Sequence, residues 1–510
     1  MKLVILHYHF RPGGVRRVIE TATPSILREM PHIDRVIFAG GEARDLAWNR
    51  TAQKSLAPVP SEFFLDPAFG YVSEQRHPAT LPARIRAAFA RLLDGGDTLL
   101  WAHNLAIARN LPLARACAES GVPMIAHHHD WWFDNRWLRW PEMQRTGFRT
   151  LPQIARALFP NAPHIRFAAI NRADTAMLRK SLGPRVGWLP NPAARPALPS
   201  KKNIRAARDW MHARLDENAP VWLMPCRILR RKNIAEALLL TRWLRPEAIL
   251  VTTGGASSAD EKPCAKRLIE TARKQGWRLH TGLLDGEPKA PSLPELLAAS
   301  ECLLLTSIQE GFGLASLEAA AAARPLIVRH LPNIAPDLHR GGFRFPHTYR
   351  EILIAPEAFD WPAERTRQRA IFSKWKATLP RSCRAWTERP PLLDCAAPEP
   401  IAFSRLSLTA QLEVLSLPAE NSWQRCARWN PLLRKWKSRA ANGELKNTPW
   451  PATAETALGA SACARRFAKL AQAHLARSSA PEPAADAIKS FIRGKLRARQ
   501  IFPLLLLHDS

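Results

Sequence analysis

The stretch CLLLTSIQEGFGLASLEAAAAARPLIV, residues 302–328, places an alanine-rich segment between two short apolar runs. The runs at its ends, CLLL and LIV, have the near-continuous apolar character of parallel strands that are covered on both faces. The middle is rich in good helix formers and predicts a helix that begins near Leu314. Since a strand, a helix and a second parallel strand form a βαβ unit, this stretch predicts an α/β fold.

The same alternation extends outward from this stretch in both directions. Further runs that predict strands are VWLMPC at 221–226, AILVTTG at 248–254 and WRLHTG at 277–282, and, in the first half, LVILHYH at 3–9, RVIFAG at 35–40, LLWAHN at 99–104 and VPMIAHHH at 122–129. Because helical patterns separate these runs, we expect two parallel, Rossmann-like sheets. The Pro-rich PNPAARPALP at 190–199 predicts the boundary between an N-terminal domain over 1–195 and a C-terminal domain over 196–360.

The remainder of the chain has a different character. The strand pattern stops near Asp360, and helical patterns follow. We expect a helix over 361–385 that crosses back to the N-terminal domain, and then a basic, mostly helical accessory region over 386–510. Residues 431–510 carry 14 Lys and Arg against 5 Asp and Glu.

The net charge of +30 over 510 residues favours anionic partners, because a positive surface potential concentrates anions. The cations are spread along the whole chain, so general solubility explains them equally well. The charge leaves peripheral contact with an anionic membrane open and does not by itself favour nucleic acid. It makes no prediction about the oligomeric state.

Targeting and redox features point to the cytoplasm. The eight cysteines are scattered without a Cys-x-x-Cys pair, which predicts reduced thiols. The N-terminal run is too short for a secretory signal, and no apolar run approaches the roughly 20 residues that span a bilayer. We therefore expect a cytoplasmic bacterial protein, at most peripheral at the inner face of the membrane.

The loop between the first strand and the helix of the opening stretch has the features of an anion site. Gly311 and Gly313 permit close backbone approach, and free N–H groups at a helix start attract negative charge. Glu310 in the loop and Glu318 in the helix can accept hydrogen bonds from sugar or ribose hydroxyls. A solvated loop acid and a carboxylate that complements the helix dipole are the alternatives.

A second loop, after the run VWLMPC, carries cations. Arg227 and Lys232 lie five residues apart before a helix whose predicted N-cap is Asn233. A guanidinium fork and an ammonium can flank a diphosphate. Arg230 and Arg231 lie in the same loop, so the contact could belong to a neighbouring side chain.

Together these two loops resemble family 4 of the retaining glycosyltransferases, through the Glu-x7-Glu signature in EGFGLASLEA and an Arg-x4-Lys element. The resemblance covers roughly residues 1–379 and implies the GT-B fold, in which two Rossmann-like domains face a cleft. It implies that Glu310 contacts the transferred sugar and Glu318 the nucleotide ribose. It also implies donor contacts from Arg227, Lys232, Gly311, Phe312, Gly313 and Leu314.

Two N-terminal segments extend the resemblance. The loop with Gly13 and Gly14 matches the family loop that reaches the donor phosphates and acceptor. AHHHDWWFDNRW, from Ala126, resembles the branch that contains mannosylglucosylglycerate synthases, which implies that His129 lies beside the sugar. The segment then departs from that branch, so the acceptor is left open. Candidate acceptor-side residues are His103, Asn104, Asp130, Trp131, Asp134 and Arg136, and for the Trp-rich loop sugar stacking and core packing are equal alternatives.

No metal site is predicted, because three successive His on a strand cannot all face one ion. The resemblance implies a retaining transfer of a hexose from a nucleotide-diphosphate sugar, UDP- or GDP-linked, to an unidentified hydroxyl acceptor, without a further cofactor. The alternatives are a nucleotide-sugar epimerase on the same fold, and an inactive protein that binds anions, nucleic acid or a membrane surface.

Overall fold

The computed structural model describes residues 1–43, 45–75, 78–134, 137–256, 258–472 and 483–506. Its internal contacts divide the chain into two compact units. Unit 1 consists of Met1–Ala194, Thr378–Cys383 and Thr453–Lys495, and unit 2 of Arg195–Ala377, Arg384–Ala452 and Leu496–Ser510. The first boundary lies in the Pro-rich stretch at 190–199.

Unit 1 is built on a parallel sheet of seven strands. In chain order these are β1 (Lys2–Leu6), β2 (Arg35–Gly40), β3 (Ser61–Leu65), β4 (Thr98–His103), β5 (Met124–His128), β6 (Ile165–Ala169) and β7 (Val186–Trp188). Their order in the sheet is β3-β2-β1-β4-β5-β6-β7. The central strands β1, β4, β5 and β6 are buried along their whole length, as expected of strands with helices on both faces.

Unit 2 repeats this topology with six strands. They are β8 (Val221–Met224), β9 (Ile249–Thr252), β10 (Leu279–His280), β11 (Cys302–Leu305), β12 (Leu326–Arg329) and β13 (His347–Tyr349), and their order is β10-β9-β8-β11-β12-β13. A small antiparallel pair, β14 (Leu353–Ile354) and β15 (Ile401–Ala402), lies outside this sheet. The two parallel sheets confirm the predicted pair of Rossmann-like domains.

The helices fill the connections and form most of the C-terminal region, as predicted. In unit 1 and the linking residues they are α1 (Gly14–Glu29), α2 (Leu46–Leu56), α3 (Leu81–Leu92), α4 (Leu111–Glu119), α5 (Trp140–Arg145), α6 (Leu151–Leu158) and α7 (Arg172–Leu182). The next are α8 (Lys201–Leu215), α9 (Ile234–Leu244), α10 (Lys262–Lys274), α11 (Leu293–Ala299), α12 (Leu314–Ala321) and α13 (Ala335–Arg340). The remainder are α14 (Trp361–Thr378), α15 (Arg381–Arg384), α16 (Pro391–Asp394), α17 (Leu408–Ser416), α18 (Ala419–Cys426), α19 (Pro431–Ala441), α20 (Ala454–Leu458), α21 (Ala460–Gln472), α22 (Pro483–Lys495) and α23 (Pro503–Leu506).

The C-terminal residues 386–510 are shared between the two units rather than gathered into one body. Helix α14 lies in unit 2 up to Ala377, and the chain enters unit 1 at Thr378. Helix α21 packs against α1, and its Phe467 ring meets the Trp101 indole edge-on at 5.0 Å between centroids. Late segments therefore complete the core of unit 1.

No helix in the described part of the chain is both long enough and apolar enough to cross a bilayer.

Candidate functional site

The two predicted donor loops follow neighbouring strands of unit 2. The loop 225–233 follows β8 and the loop 306–313 follows β11, and β8 and β11 pair with each other. At this pair the strand order reverses, since β9 continues from β8 on one side and β12 from β11 on the other. In open α/β sheets this switch point, beyond the carboxyl ends of the strands, is where ligands bind.

Hydrogen bonds tie the two loops together. The Thr306 hydroxyl lies 2.9 Å from the Lys232 carbonyl oxygen and 3.0 Å from that of Asn233. The Ile308 amide donates to the Arg231 carbonyl at 2.9 Å. The loop backbones are therefore fixed relative to each other before any ligand binds.

Glu310 is the electrostatic centre of this arrangement. Arg231 Nη1 lies 2.9 Å from Glu310 Oε2, and Lys232 Nζ donates to Glu310 Oε1. Burial acts to raise the pKa of the Glu310 carboxyl, but Arg231 and Lys232 outweigh it and lower the pKa to about 2. The Glu310 side chain is 19% exposed, so the carboxylate is charged and largely screened from water.

A buried polar network holds the start of α9. Asn233, the predicted N-cap, holds that position with a left-handed backbone, φ 51°. Its Nδ2 donates to Glu236 Oε2 at 3.0 Å, and the Tyr349 hydroxyl donates to Glu236 Oε1 at 2.5 Å. Arg329 completes the network through an ion pair with Glu236. This network holds Lys232 in place through its neighbour Asn233.

Helix α12 begins at Leu314, as predicted, with Gly313 at its N-cap. Gly313 has φ 89°, and a Cβ there would meet Ile334 Cδ1 at 3.0 Å, so this position needs glycine. Phe312 is buried at 3% exposure, whereas Glu318 is half-buried on α12. The Asn333 side chain donates to the Glu310 carbonyl at 2.8 Å, which braces the loop from the other side.

Arg227 occupies a different part of the same loop. Its side chain is exposed, and its Cγ lies 3.0 Å from the place where a Cβ on Gly254 would be. Arg231, which the Arg-x4-Lys spacing did not single out, is the guanidinium that pairs with Glu310. The structure thus brings Lys232 and Glu310 together as a pair and adds Arg231 to them.

In unit 1 the site candidates gather where β4 and β5 end. His103 Nδ1 lies 3.0 Å from His129 Nε2. The His127 Nε2–H donates to the Leu189 carbonyl at 2.8 Å, which leaves its Nδ1 as the lone-pair nitrogen. Burial lowers the pKa of all three imidazoles, that of His127 to about 4, so they are neutral at pH 7.

The alternation expected along β5 holds for the consecutive histidines. His128 packs on the other side, against Trp131 and Phe159. His103 from the adjacent strand takes the third place, and the nitrogens of His103, His127 and His129 lie within 4.8 Å of one another. Among the described residues this is the group that could hold a metal ion, although its 3.0 Å contact is also an ordinary hydrogen bond. Alternation along β5 alone does not reveal this group, because its third member, His103, lies on the neighbouring strand β4.

Asn104 organises the turn that follows His129. Its backbone is left-handed, φ 60°, and its Oδ1 accepts from the amides of His129 at 3.2 Å and Asp130 at 3.0 Å. The structure therefore brings His103, Asn104, His129 and Asp130 together.

The remaining acceptor-side candidates have other environments. Trp131 is 2% exposed and its indole N–H donates to Asp174 at 2.9 Å, so of the two alternatives for this loop the structure has core packing. This burial does not fit a direct sugar contact. Asp134 pairs with Lys495 at 3.1 Å. Arg136 lies outside the described residues.

The predicted Gly13–Gly14 loop leads directly into α1. Gly13 is the N-cap with φ 165°, an extended backbone that any residue can adopt, and a Cβ on Gly14 would meet open space. Neither position is glycine for a local steric reason, so the backbone alone does not explain the pair.

The part of the chain that matches a known protein family lies within unit 2. Residues 211–343 match the family Glycosyl transferases group 1. The matched segment includes both donor loops, from Arg227 to Lys232 and from Glu310 to Glu318.

A longer likeness links the chain to one curated enzyme. Mannosylglucosyl-3-phosphoglycerate synthase of Petrotoga mobilis is 26% identical over 350 residues, which cover 64% of this chain and 65% of that enzyme. The match thus spans slightly less than two thirds of the relative's length. Together with the family match it supports the predicted enzyme class, a glycosyltransferase.

Solved structures share the fold. Alr3699/HepE of Anabaena, in complex with UDP-glucose, has a TM-score of 0.50 at 15% identity, and the likeness covers 92% of this chain and 98% of that one. Sucrose-phosphate synthase of Thermosynechococcus elongatus has a TM-score of 0.51 at 13% identity, over the same shares. The GT-B fold expected from the sequence is confirmed.

Proposed function

We propose that this protein is a retaining glycosyltransferase of family 4 that moves a hexose from a nucleotide-diphosphate sugar to a hydroxyl acceptor. The observation that carries the proposal is the cluster of Arg231, Lys232 and Glu310 at the switch point of the unit 2 sheet. Cations there suit a diphosphate, and a charged, screened carboxylate suits sugar hydroxyls.

The chemistry follows from these charges. When the bond between the anomeric carbon and the β-phosphate oxygen breaks, negative charge grows on the leaving phosphate. Arg227, Lys232 and the first amides of α12 would stabilise that charge, and preorganised donors act most strongly in the transition state. The acceptor oxygen bonds to the anomeric carbon on the face that the phosphate leaves, and its proton passes to the leaving phosphate oxygen.

The carboxylates divide the donor between them in this proposal. Glu310 accepts hydrogen bonds from the transferred sugar, and Glu318 accepts them from the ribose. Amides of Gly311, Phe312, Gly313 and Leu314 hold sugar hydroxyls or phosphate. UDP-glucose, which the HepE structure contains, is the first donor to test, with GDP-mannose as the alternative.

The acceptor-side candidates named here all lie in unit 1. His129 would contact the sugar, with Gly13, Gly14, His103, Asn104 and Asp130 near the acceptor or donor phosphates. The cations of the loop 225–233 would neutralise the diphosphate, as a divalent ion does in other transferases. We therefore propose a transfer that requires no metal.

Calorimetry against UDP-glucose, GDP-mannose, UDP and GDP tests the donor site. Lys232→Met should weaken binding of the preferred donor about tenfold or more, as expected for loss of a charged phosphate contact. Lys266→Met is the matched control, because Lys266 is a 75% exposed cation on α10. Absence of binding by every nucleotide to the unmodified protein would refute the proposal.

Transfer is measured separately by following label from the bound donor. Since the acceptor is open, the panel starts from compounds that the relative's name contains, 3-phosphoglycerate and its glucosylated form. Retention is read from the anomeric configuration of the product by NMR. Inversion, or epimerised donor without transfer, would contradict the mechanism.

A further inference from the structure

Helix α22, more than 350 residues along the chain from β5, packs onto the segment that follows His129. The Phe491 ring meets Trp131 edge-on at 4.7 Å and Phe133 edge-on at 5.3 Å between centroids. All three rings are at most 3% exposed. We propose that Phe491 and Lys495 of α22 are positioning residues that hold the segment 129–134 in its working conformation.

Lys495 supplies the electrostatic part of this contact. Its Nζ lies 3.1 Å from Asp134 Oδ1, and the lysine side chain is only 19% exposed. Burial acts to lower the pKa of Lys495, but Asp134 and Asp174 outweigh it and raise the pKa. The Lys495 ammonium is largely buried, where an unpaired charge would be costly; Asp134 compensates it directly, and Asp174 and Asp130 add weaker electrostatic attraction.

Trp131 connects the packing of α22 to the turn at His129 and Asp130. Its indole N–H donates to Asp174, its ring lies against Phe491 on one side, and its centroid is 5.2 Å from that of His128. His128 and His129 are adjacent, and the His129 amide is bound to Asn104. A shift of α22 would therefore be transmitted through packed rings to the turn that presents His129 and Asp130.

The ion pair between Lys495 and Asp134 also restricts which residue types position 495 can accept. Arginine at 495 can keep the ion pair, whereas methionine keeps the apolar stem but leaves Asp134 and Asp174 without their cation. The expected consequence is local opening of the segment 129–134. The link from this segment to the acceptor rests on the proposed function, but the contact itself does not.

Hydrogen exchange followed by mass spectrometry on the full chain tests the inference. Lys495→Met should raise exchange in peptides covering 128–134 roughly tenfold, while peptides of β1 and of unit 2 stay unchanged. Lys495→Arg should restore most of the protection. Lys489→Met is the matched control, because Lys489 lies on the same helix, is 48% exposed, and pairs with an exposed Asp486.

Two further variants guard against a misfolded Lys495→Met protein. Phe491→Leu keeps the charge and loosens the ring contact, and should raise exchange in the same peptides. Asp134→Asn combined with Lys495→Met removes both charges, and should exchange less than Lys495→Met alone if the pair is the cause. Unchanged exchange at 128–134 in Lys495→Met and Phe491→Leu, or an equal rise throughout unit 1, would overturn the inference.

The kinetic readout separates positioning from general stability. Once an acceptor that the protein glycosylates is known, Lys495→Met should raise the KM for that acceptor roughly tenfold and leave the KM for the donor near its original value. A protein that binds no nucleotide sugar refutes the proposed function and leaves the exchange result standing. A protein that binds donor normally but shows unaltered exchange in the variants refutes this inference alone.

Discussion

Arg231 and Glu310 are 2.9 Å apart at Nη1 and Oε2, although they lie in loops that follow two different strands. Lys232 shares the same carboxylate. The ion pair joins the loop 225–233 to the loop 306–313. The cations of the first loop are therefore partly neutralised by the carboxylate of the second.

Replacement of Glu310 should separate catalysis from folding. We expect Glu310→Ala to reduce transfer by roughly a thousandfold while the protein stays folded, since a contact to the reacting sugar is lost. Product formation and circular dichroism measure the two effects. Glu270→Ala, at a 54% exposed glutamate on α10, serves as control and should transfer normally. Unimpaired turnover by Glu310→Ala would rule out its role.

The same carboxyl should make stability depend on pH. The pKa of Glu310 is lowered from 4.5 to about 2 in the folded state, so its stabilising effect is fully present above about 4.5 and is lost as the pH falls toward 2. The free energy of unfolding of the wild type should exceed that of Glu310→Gln by about 3 kcal/mol at neutral pH. This difference should disappear in acid. Urea unfolding at several pH values measures this gap. A gap that stays constant from pH 7 to 2.5 would disagree.

Gly313 should tolerate no side chain. Its φ of 89° strains any other residue, and a Cβ would also press on Ile334 at 3.0 Å. We expect Gly313→Ala to cost about 2 kcal/mol or more and to weaken donor binding. Gly276→Ala is the control, because Gly276 has φ 62° but open space around it. Equal costs for the two variants, with donor binding intact, would show that the Ile334 contact is unimportant.

Metal removal should leave transfer intact. The cations Arg227, Arg231 and Lys232 lie in the donor loop, so we expect dialysis against EDTA to change the rate by less than about twofold. Metal analysis of the purified protein is run in parallel, because His103, His127 and His129 could hold an ion. Loss of activity that Zn²⁺ or Mn²⁺ restores would assign a metal to the reaction.

The strands and the start of α12 were predictable because their signals are local. Continuous apolar runs mark buried parallel strands, and the first strand of the opening stretch and the helix start at Leu314 both appear as expected. The parallel sheets then bring the two donor loops together, since the carboxyl ends of neighbouring strands share an edge.

The choice among three consecutive cations was not predictable in the same way. Arg230 turns to Glu261 at 3.3 Å, whereas Arg231 and Lys232 turn to Glu310. The direction of each side chain depends on a short 3₁₀ turn over Arg230–Lys232, and spacing alone does not reveal it. The same holds for Lys495 and Asp134, which are 361 residues apart and carry no shared pattern.

The composition of unit 1 has a consequence for biosynthesis. Its sheet strands are all made by residue 188, but α21 and α22 are supplied from beyond residue 459. A ribosome adding about 5–20 residues per second needs roughly 15–60 s to cover that interval. During this time the strands of the unit 1 sheet have been made, but the surfaces of α1 and Trp131 that α21 and α22 later cover are still exposed. Chaperones therefore have a defined period and a defined surface to protect.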